Sequence, residues 1–530
     1  MTYFTRRVAF GATIALAAVQ TLPAQNQALS AKIAEIQSRP ELIHATFGVA
    51  AYDLDAKKMV YGLNAEQLFT PGSTTKLLTT GTALGLLGAD YRFHTPVYRT
   101  GPITGGVLKG DLVLVGSGDA NLSGRAFGDT LGFTNEDHSY AGRGDSVAKA
   151  LGDPLAVLRE LAGQVAAKGI KQVDGRVLVD VSLFPQGERE LGTGVVISPI
   201  VVNDNVVDLL IAPGAKAGDA VSVRVSPDLG LFRLTNELKT GAPGSTPALR
   251  RMITRDSASG VVTVRLTGSY AAGGAPLVMS VPVDSPSEMA ARAFVAALKE
   301  RGITVQGGAS DHVDFARLAT GYGDSTRVAE HVSLPLAEAV KVILKVSQNL
   351  HASMMPYVVG AIAGHTPGRG AVQAGFDAEH DFLQRAGLDL MAAAQGDGAG
   401  GAPGAFYSPA FMAQYLAYMA TRPDTALFRK ALPILGRDGT LWNIQAQAPA
   451  AGHVFAKTGT FSVFDPLNRR TIVTGKGLAG YMTTSSGKRL AFAIYANRVP
   501  FPPNYPGDAA LLVGQALGEI AAAMWGGPIS

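Results

Sequence analysis

The sequence predicts an α/β (α+β) fold, with one sheet built from strands at both chain ends, helices around it, and a long β-rich insertion between. Three observations predict this. Apolar residues alternate in "ATFGVAAYDLDAKKMVYGLN" near the start and in "HVFAKTGTFS" and "LAGYMTTSSGKRLAFAIYANR" near the end. From about Val328 onward, helical spacing dominates, in "LPLAEAVKVILKVSQNL", "AVQAGFDAEHDFLQRAG" and "SPAFMAQYLAYMAT". Between Tyr91 and Arg327 the texture is short β-like runs separated by Gly, Pro, Asn and Asp.

Taken in order, residues 1–24 read as a secretory leader. Arg6 and Arg7 precede an apolar stretch from Val8 to Val19, and Leu22-Pro23-Ala24 ends it. That stretch is shorter than the roughly 20 apolar residues a spanning helix needs. No integral membrane span is therefore expected in the mature chain, and an exported protein of the periplasm or cell envelope is. Residues 31–90 open the catalytic domain with a strand, a turn at Asp53-Leu54-Asp55-Ala56 and a second strand. "PGSTTKLLTTGTALGLLG" follows, a Pro-Gly turn delivering the chain to a helix that is apolar from Leu77 to Leu87.

Residues 91–327 form the β-rich insertion, in one or two domains. Its β-like runs include "GDLVLVGSGD", "GRVLVDVSLF", "NVVDLLIAPG", "AVSVRVSP" and "GVVTVRLTGSY". Two helical segments accompany them, "PLAVLRELAGQVAAKG" and "SEMAARAFVAALKERG". Residues 328–530 return to the catalytic domain and end with the helix-like "DAALLVGQALGEIAAAMW".

Composition narrows the function. Hydrophobic residues make up 47% of the chain and charged ones 17%, which suits buried cores and not disorder. The formal net charge of +4 falls to +2 once Arg6 and Arg7 are set aside, too little to call for nucleic acid. There is no cysteine, so thiolate catalysis, disulfides and Cys-ligated metals are excluded. Neither His-Glu-x-x-His nor Gly-x-x-x-x-Gly-Lys-Ser/Thr occurs. The remaining chemistry needs no cofactor and no metal.

That chemistry centres on serine and lysine. Residues three apart on a helix share a face, so a Ser-x-x-Lys hydroxyl and amine can meet. Burial lowers the lysine pKa until it can take the hydroxyl proton, and a helix N-terminus places N–H groups near a developing oxyanion. The pattern occurs three times. Ser485-Ser486-Gly487-Lys488 reads as a polar hairpin turn, and Ser146-Val147-Ala148-Lys149 as a solvated cap stopped by "ALGDP". Ser73-Thr74-Thr75-Lys76 alone leads into an apolar run that would pin the lysine against a core.

Two companions follow it in order. Ser347-Gln348-Asn349 is the sole Ser-x-Asn and sits where a helical pattern ends. Lys457-Thr458-Gly459 lies on a strand-like run and continues into Thr460. A second Lys-Thr-Gly, Lys239-Thr240-Gly241, precedes the Ser-x-Asn and reads as a loop coincidence. The ordered trio is the signature of serine β-lactamases and penicillin-binding proteins.

With "LFTPGSTTKLLTT", "GDLVLVGSGDANLSG", "VNDNVVDLLIAPG", "LPILGRDGTL" and "FAKTGTF", the chain resembles the S13 peptidases over nearly all its mature length. These are D-alanyl-D-alanine carboxypeptidases/endopeptidases among the low-molecular-mass class C penicillin-binding proteins. The long separation of Ser73 from Ser347 matches the insertion domains of that family. The resemblance implies a serine β-lactamase/transpeptidase-like fold and an acyl-enzyme on Ser73 with Lys76 as base. It implies that Ser347 relays protons with Lys76, that Asn349 bonds the substrate amide, and that Lys457 and Thr458 hold the substrate carboxylate. The N–H groups of Ser73 and Thr460, beside Gly459, would form the oxyanion hole. Expected partners are peptidoglycan stem peptides ending in D-Ala-D-Ala, with β-lactams as inhibitors.

Two stretches depart from the family pattern. Leu350-His351-Ala352-Ser353 stands where Leu-x-Ala-Glu is usual, and Asp397-Gly398-Ala399-Gly400 where Asp-Gly-Ser-Gly is. His351 reads as a helix-end residue that supports the site from behind. A β-lactamase-like hydrolase and a non-catalytic peptidoglycan-binding envelope protein are the alternatives. The first lacks support, because Glu379 is the sole glutamate between Asn349 and Lys457 and no asparagine follows it in the Glu-x-x-x-Asn pattern.

Overall fold

The computed structural model describes residues 24–140, 152–307, 309–310, 313–364 and 368–529. The leader up to residue 23 and the Ser146–Lys149 pair lie outside the described residues. The sheet that joins the two chain ends has five strands: β1 (Thr46–Asp53), β2 (Lys58–Leu63), β3 (Val454–Asp465), β4 (Arg470–Thr483) and β5 (Arg489–Pro500). Their order is β2-β1-β5-β4-β3, so both chain ends meet at the centre and β3 lies at an edge. β1 runs antiparallel to β5, with Thr46 opposite Asn497 and Asp53 opposite Leu490.

Both faces of this sheet are covered, which is why its inner strands are apolar at nearly every position. Along β5, Leu490, Phe492, Ile494 and Ala496 enter one core with Ile33 and Leu517. Ala491, Ala493 and Tyr495 enter the other, with Leu77, Leu78 and Leu84. The first core is closed by α1 (Ala24–Gln37) and α6 (Ala509–Gly526). Among the described residues, α6 alone is long and apolar enough to cross a membrane. Its Val513, Leu517, Ile520 and Met524 are instead packed in that core. The second core holds α2 (Thr75–Leu87), α3 (Leu336–Val346), α4 (Asn349–Ala363) and α5 (Ala371–Arg385). Every residue of α2 from Thr75 to Leu84 is buried, Lys76 included.

The region between Tyr91 and Arg327 has two hydrophobic cores, and one of them sets parallel strands beside the two helices expected in this β-rich stretch. Strands 309–310, Val177–Asp180, Leu112–Val115, His94–Arg99 and Arg327–Val332 form one sheet in that order. Its first three are parallel, and helices Ala156–Ala167 and Pro286–Glu300 pack in the same core. This part is therefore an α/β module, as parallel strands require covered connections. The second helix begins at a Ser285 cap that accepts from the Glu288 N–H at 3.3 Å, with Pro286 at its first turn. The other core is all β, with Val206–Ala212 between Ser222–Ser226 and Leu277–Pro282.

Lys239-Thr240-Gly241 is not in a loop. It ends the strand Arg233–Gly241, parallel to Val262–Ala271, and Thr240 is buried, its hydroxyl accepting from the Gly214 N–H. Pairing begins at Arg233, well before the turn-forming "APGSTP" that suggested a loop. Ser485–Gly487 does form the β4–β5 turn.

Candidate active site

Ser73 sits in the short 3-10 turn Gly72–Thr74 that runs straight into α2. This turn presses against β3 so closely that two glycines are required. A Cβ on Gly72, whose φ is +51°, would lie 2.5 Å from Thr460 N. A Cβ on Gly459 would lie 2.0 Å from the Pro71 oxygen and 3.1 Å from Ser73 N. The contact brings the backbone nitrogens of Ser73 and Thr460 to one place, as an oxyanion hole needs.

One turn on, Lys76 Nζ donates to Ser73 Oγ at 2.8 Å, to Asn349 Oδ1 at 2.6 Å and to the Ala399 carbonyl at 2.9 Å. Its side chain is wholly buried, and burial pushes its pKa down to about 8 against the opposing charges of Glu190, Asp397 and Asp137. A fraction of the amine is therefore neutral near pH 7 and able to accept the serine proton.

Ser347 terminates α3 in the left-handed region, at φ 62°. That turn aims its hydroxyl at β3, where Lys457 Nζ donates to Ser347 Oγ at 2.8 Å and to the Thr458 carbonyl at 2.7 Å. Burial, then the charges of Lys76 and Lys476, hold Lys457 well below its ordinary value. Thr458 Oγ1 donates to Thr440 Oγ1 at 2.8 Å. Ser73, Asn349, Thr440, Thr458, Thr460 and Lys476 line one open groove of about 520 Å³. Lys476 stands opposite Thr460 on β4 and donates to its hydroxyl at 2.7 Å, and burial brings it to about 8.

The structure thus brings Ser73, Lys76, Ser347, Asn349, Lys457, Thr458, Gly459 and Thr460 together. Ser485 is far from this groove in the chain's fold, in a turn bonded to the Trp525 carbonyl. Glu379 lines a separate cavity with Leu78 and Tyr407, and burial pushes its carboxyl up to about 7.

The departure at Ala399 is absorbed locally. Ala399 meets Lys76 through its carbonyl, which any residue supplies. Asp397 accepts from the N–H groups of Gly400 and Gly401 at 2.7 and 2.9 Å, shaping that loop. His351 is buried in the first turn of α4, its Nε2 2.8 Å from Asp204 Oδ1, and does not touch Ser73. Sequence reasoning missed Thr440, Glu190, Asp137 and Tyr140. The first lies in the family-like "LPILGRDGTL"; the others come from 91–327 and carry no motif.

Comparison with solved structures gives the class first. The fold matches penicillin binding protein 4 (dacB) from Haemophilus influenzae, with a TM-score of 0.67, 20% identity, and 93% of this chain and 99% of that one covered. The protein therefore has the serine β-lactamase/transpeptidase-like fold. The family model of the D-Ala-D-Ala carboxypeptidase 3 (S13) family matches residues 29–505, and the chain belongs to that family. A D-alanyl-D-alanine carboxypeptidase of Actinomadura sp. (strain R39) is 28% identical over 97% of this chain and 89% of its own length. D-alanyl-D-alanine carboxypeptidase DacB of Haemophilus influenzae is 23% identical, covering 85% of each chain. By this membership the protein is a serine-type D-alanyl-D-alanine carboxypeptidase.

Proposed function

We propose that Ser73 is the acylated nucleophile of an exported, periplasmic enzyme that trims and cleaves peptidoglycan stem peptides. The observation that carries this is Lys76 Nζ, buried and 2.8 Å from Ser73 Oγ, with its pKa near 8. Neutral Lys76 takes the hydroxyl proton as Ser73 Oγ attacks the carbonyl of the D-Ala-D-Ala bond. The N–H groups of Ser73 and Thr460 hold the oxyanion. The terminal carboxylate docks at Lys457 and Thr458, and its charge restores the proton that burial disfavours on Lys457. Ser347, bonded to Lys457, passes a proton to the departing D-alanine amine and is reprotonated by the Lys76 ammonium, which returns to the neutral base. Water then cleaves the ester. A β-lactam acylates Ser73 in the same way, but its ring amine stays tethered to the acyl group and does not leave; Glu379, a candidate base for fast release, lines a different cavity.

In this reading residues 31–90 and 328–530 are the catalytic domain, 91–327 the insertion, and 1–24 the leader. The test is labelling with a fluorescent penicillin and mapping of the adduct. Ser73 is the expected site, and undiminished labelling of Ser73→Ala refutes the reading. D-alanine release from a pentapeptide and from a cross-linked dimer then measures carboxypeptidase against endopeptidase action.

A further inference from the structure

The Ser347–Asn349 element is gripped by side chains from outside the catalytic layers. Asp137 precedes the short turn His138–Tyr140 and is 4% exposed. Its Oδ1 accepts from the Ser139 N–H at 2.8 Å, Ser139 Oγ at 2.6 Å and Gln348 Nε2 at 3.1 Å. Its Oδ2 accepts from the Asn349 N–H at 3.0 Å. Tyr140, on the same turn, has its hydroxyl 2.5 Å from Asn349 Nδ2. Asn349 Oδ1 is left to face Lys76 Nζ. The amide that meets the catalytic lysine is thus fixed at its backbone, its nitrogen and its oxygen.

Ser347 needs such a grip. A left-handed serine costs on the order of 1 kcal/mol and persists only where its surroundings enforce it. Gln348, the next residue, spans the gap: it donates to Asp137 and accepts from the His351 N–H at 3.0 Å. A second ring of contacts anchors the Asp137 turn itself. His138 lies between Asp204, 2.9 Å from its Nδ1, and Asp208, 2.7 Å from its Nε2. Asp204 also binds Arg125 and, at 2.8 Å, His351 on α4.

We infer that Asp137 is a positioning residue for acylation: it holds Ser347-Gln348-Asn349 so that Asn349 Oδ1 is presented to Lys76 Nζ. The inference rests on Ser73 being the acylated residue. It gives the 91–327 region a part in the reaction, because the turn that carries Asp137 and Tyr140 belongs to it. Lys76 faces Glu190, Asp397 and Asp137 on the acidic side and Lys457 on the basic side. Removing the Asp137 charge therefore lowers the pKa of Lys76 further, an effect distinct from mere loosening.

Asp137→Asn in the full-length protein keeps the side-chain shape but puts an NH₂ group against donors. The measurement is the second-order rate of labelling by fluorescent penicillin as a function of pH, beside the melting temperature and the mapped adduct. The expected result is a fall of about 100-fold at the pH optimum, with the acid limb moved to lower pH and the adduct still on Ser73. Asp137→Glu, which keeps the charge, should leave the limb where the wild type has it. A wild-type rate in Asp137→Asn overturns the inference, as does a slower rate with an unmoved limb. If Asp137→Asn does not fold, Gln348→Leu removes one arm of the same grip, and unchanged labelling there overturns it equally. An adduct mapped away from Ser73 in the wild type refutes the underlying acylation reading, and the positioning role falls with it.

Discussion

Acylation by this enzyme should rise with pH through the titration of Lys76. Burial has brought that amine from 10.5 down to about 8. At pH 7 roughly 9% of it is then neutral, against about 0.03% for an ordinary lysine, a gain of about 300-fold in competent base. The sign follows from the active form being deprotonated. Rate climbs about tenfold per pH unit below 8 and levels above it. Stopped-flow labelling of Ser73 by a chromogenic cephalosporin, from about pH 5.5 to 9.5, measures this limb directly. Lys76→Arg supplies the control, because a guanidinium stays charged throughout. That variant should lose about 1,000-fold and show no limb. A wild-type rate flat between about pH 6 and 8, or a Lys76→Arg variant retaining a tenth of the rate, refutes Lys76 as the base.

Three further outcomes are expected. Gly459→Ala puts a methyl 2.0 Å from the Pro71 carbonyl, so labelling should drop by about 100-fold and unfolding free energy by about 1–3 kcal/mol, read by penicillin labelling and urea melts. Ser347→Ala removes the hydroxyl that Lys457 binds and should slow D-alanine release by about 100-fold with a smaller change in penicillin labelling, compared in parallel assays. Glu379→Gln concerns stability alone. The folded carboxyl titrates near 7 against 4.5 unfolded, so the native protein binds the extra proton and loses stability as pH rises between those values. The variant should gain about 3 kcal/mol over the wild type at pH 8 and almost nothing near pH 4, by denaturant melts at the two pH values.

The cluster around Ser73 was legible in the sequence because its signals are local. Ser73 and Lys76 share one helical turn, Ser347 and Asn349 one helix junction, and Lys457 to Thr460 one strand. Their order along the chain separated Ser73 from its look-alike Ser485. Residues that act on them across the fold left no such trace. Asp137 touches Asn349 from a turn 212 residues away in sequence, and no spacing rule links them. Lys239-Thr240-Gly241 misled because turn residues follow it immediately, whereas a strand is defined by its partner. The parallel module at 94–332 was likewise hidden, since short apolar runs look alike in parallel and antiparallel pairing.

The sheet order has a consequence for how the molecule comes into being. β1 at residues 46–53 is hydrogen-bonded to β5 at residues 490–497, so the first strand made waits for almost the last. Neither hydrophobic core flanking this sheet can close until synthesis is nearly complete, while the region at 94–332 carries its own core and can fold earlier. Pairing across such a span is slow and leaves strand edges open meanwhile. A growing chain of this design therefore keeps the two ends of the central sheet unpaired with each other until β5 has been made.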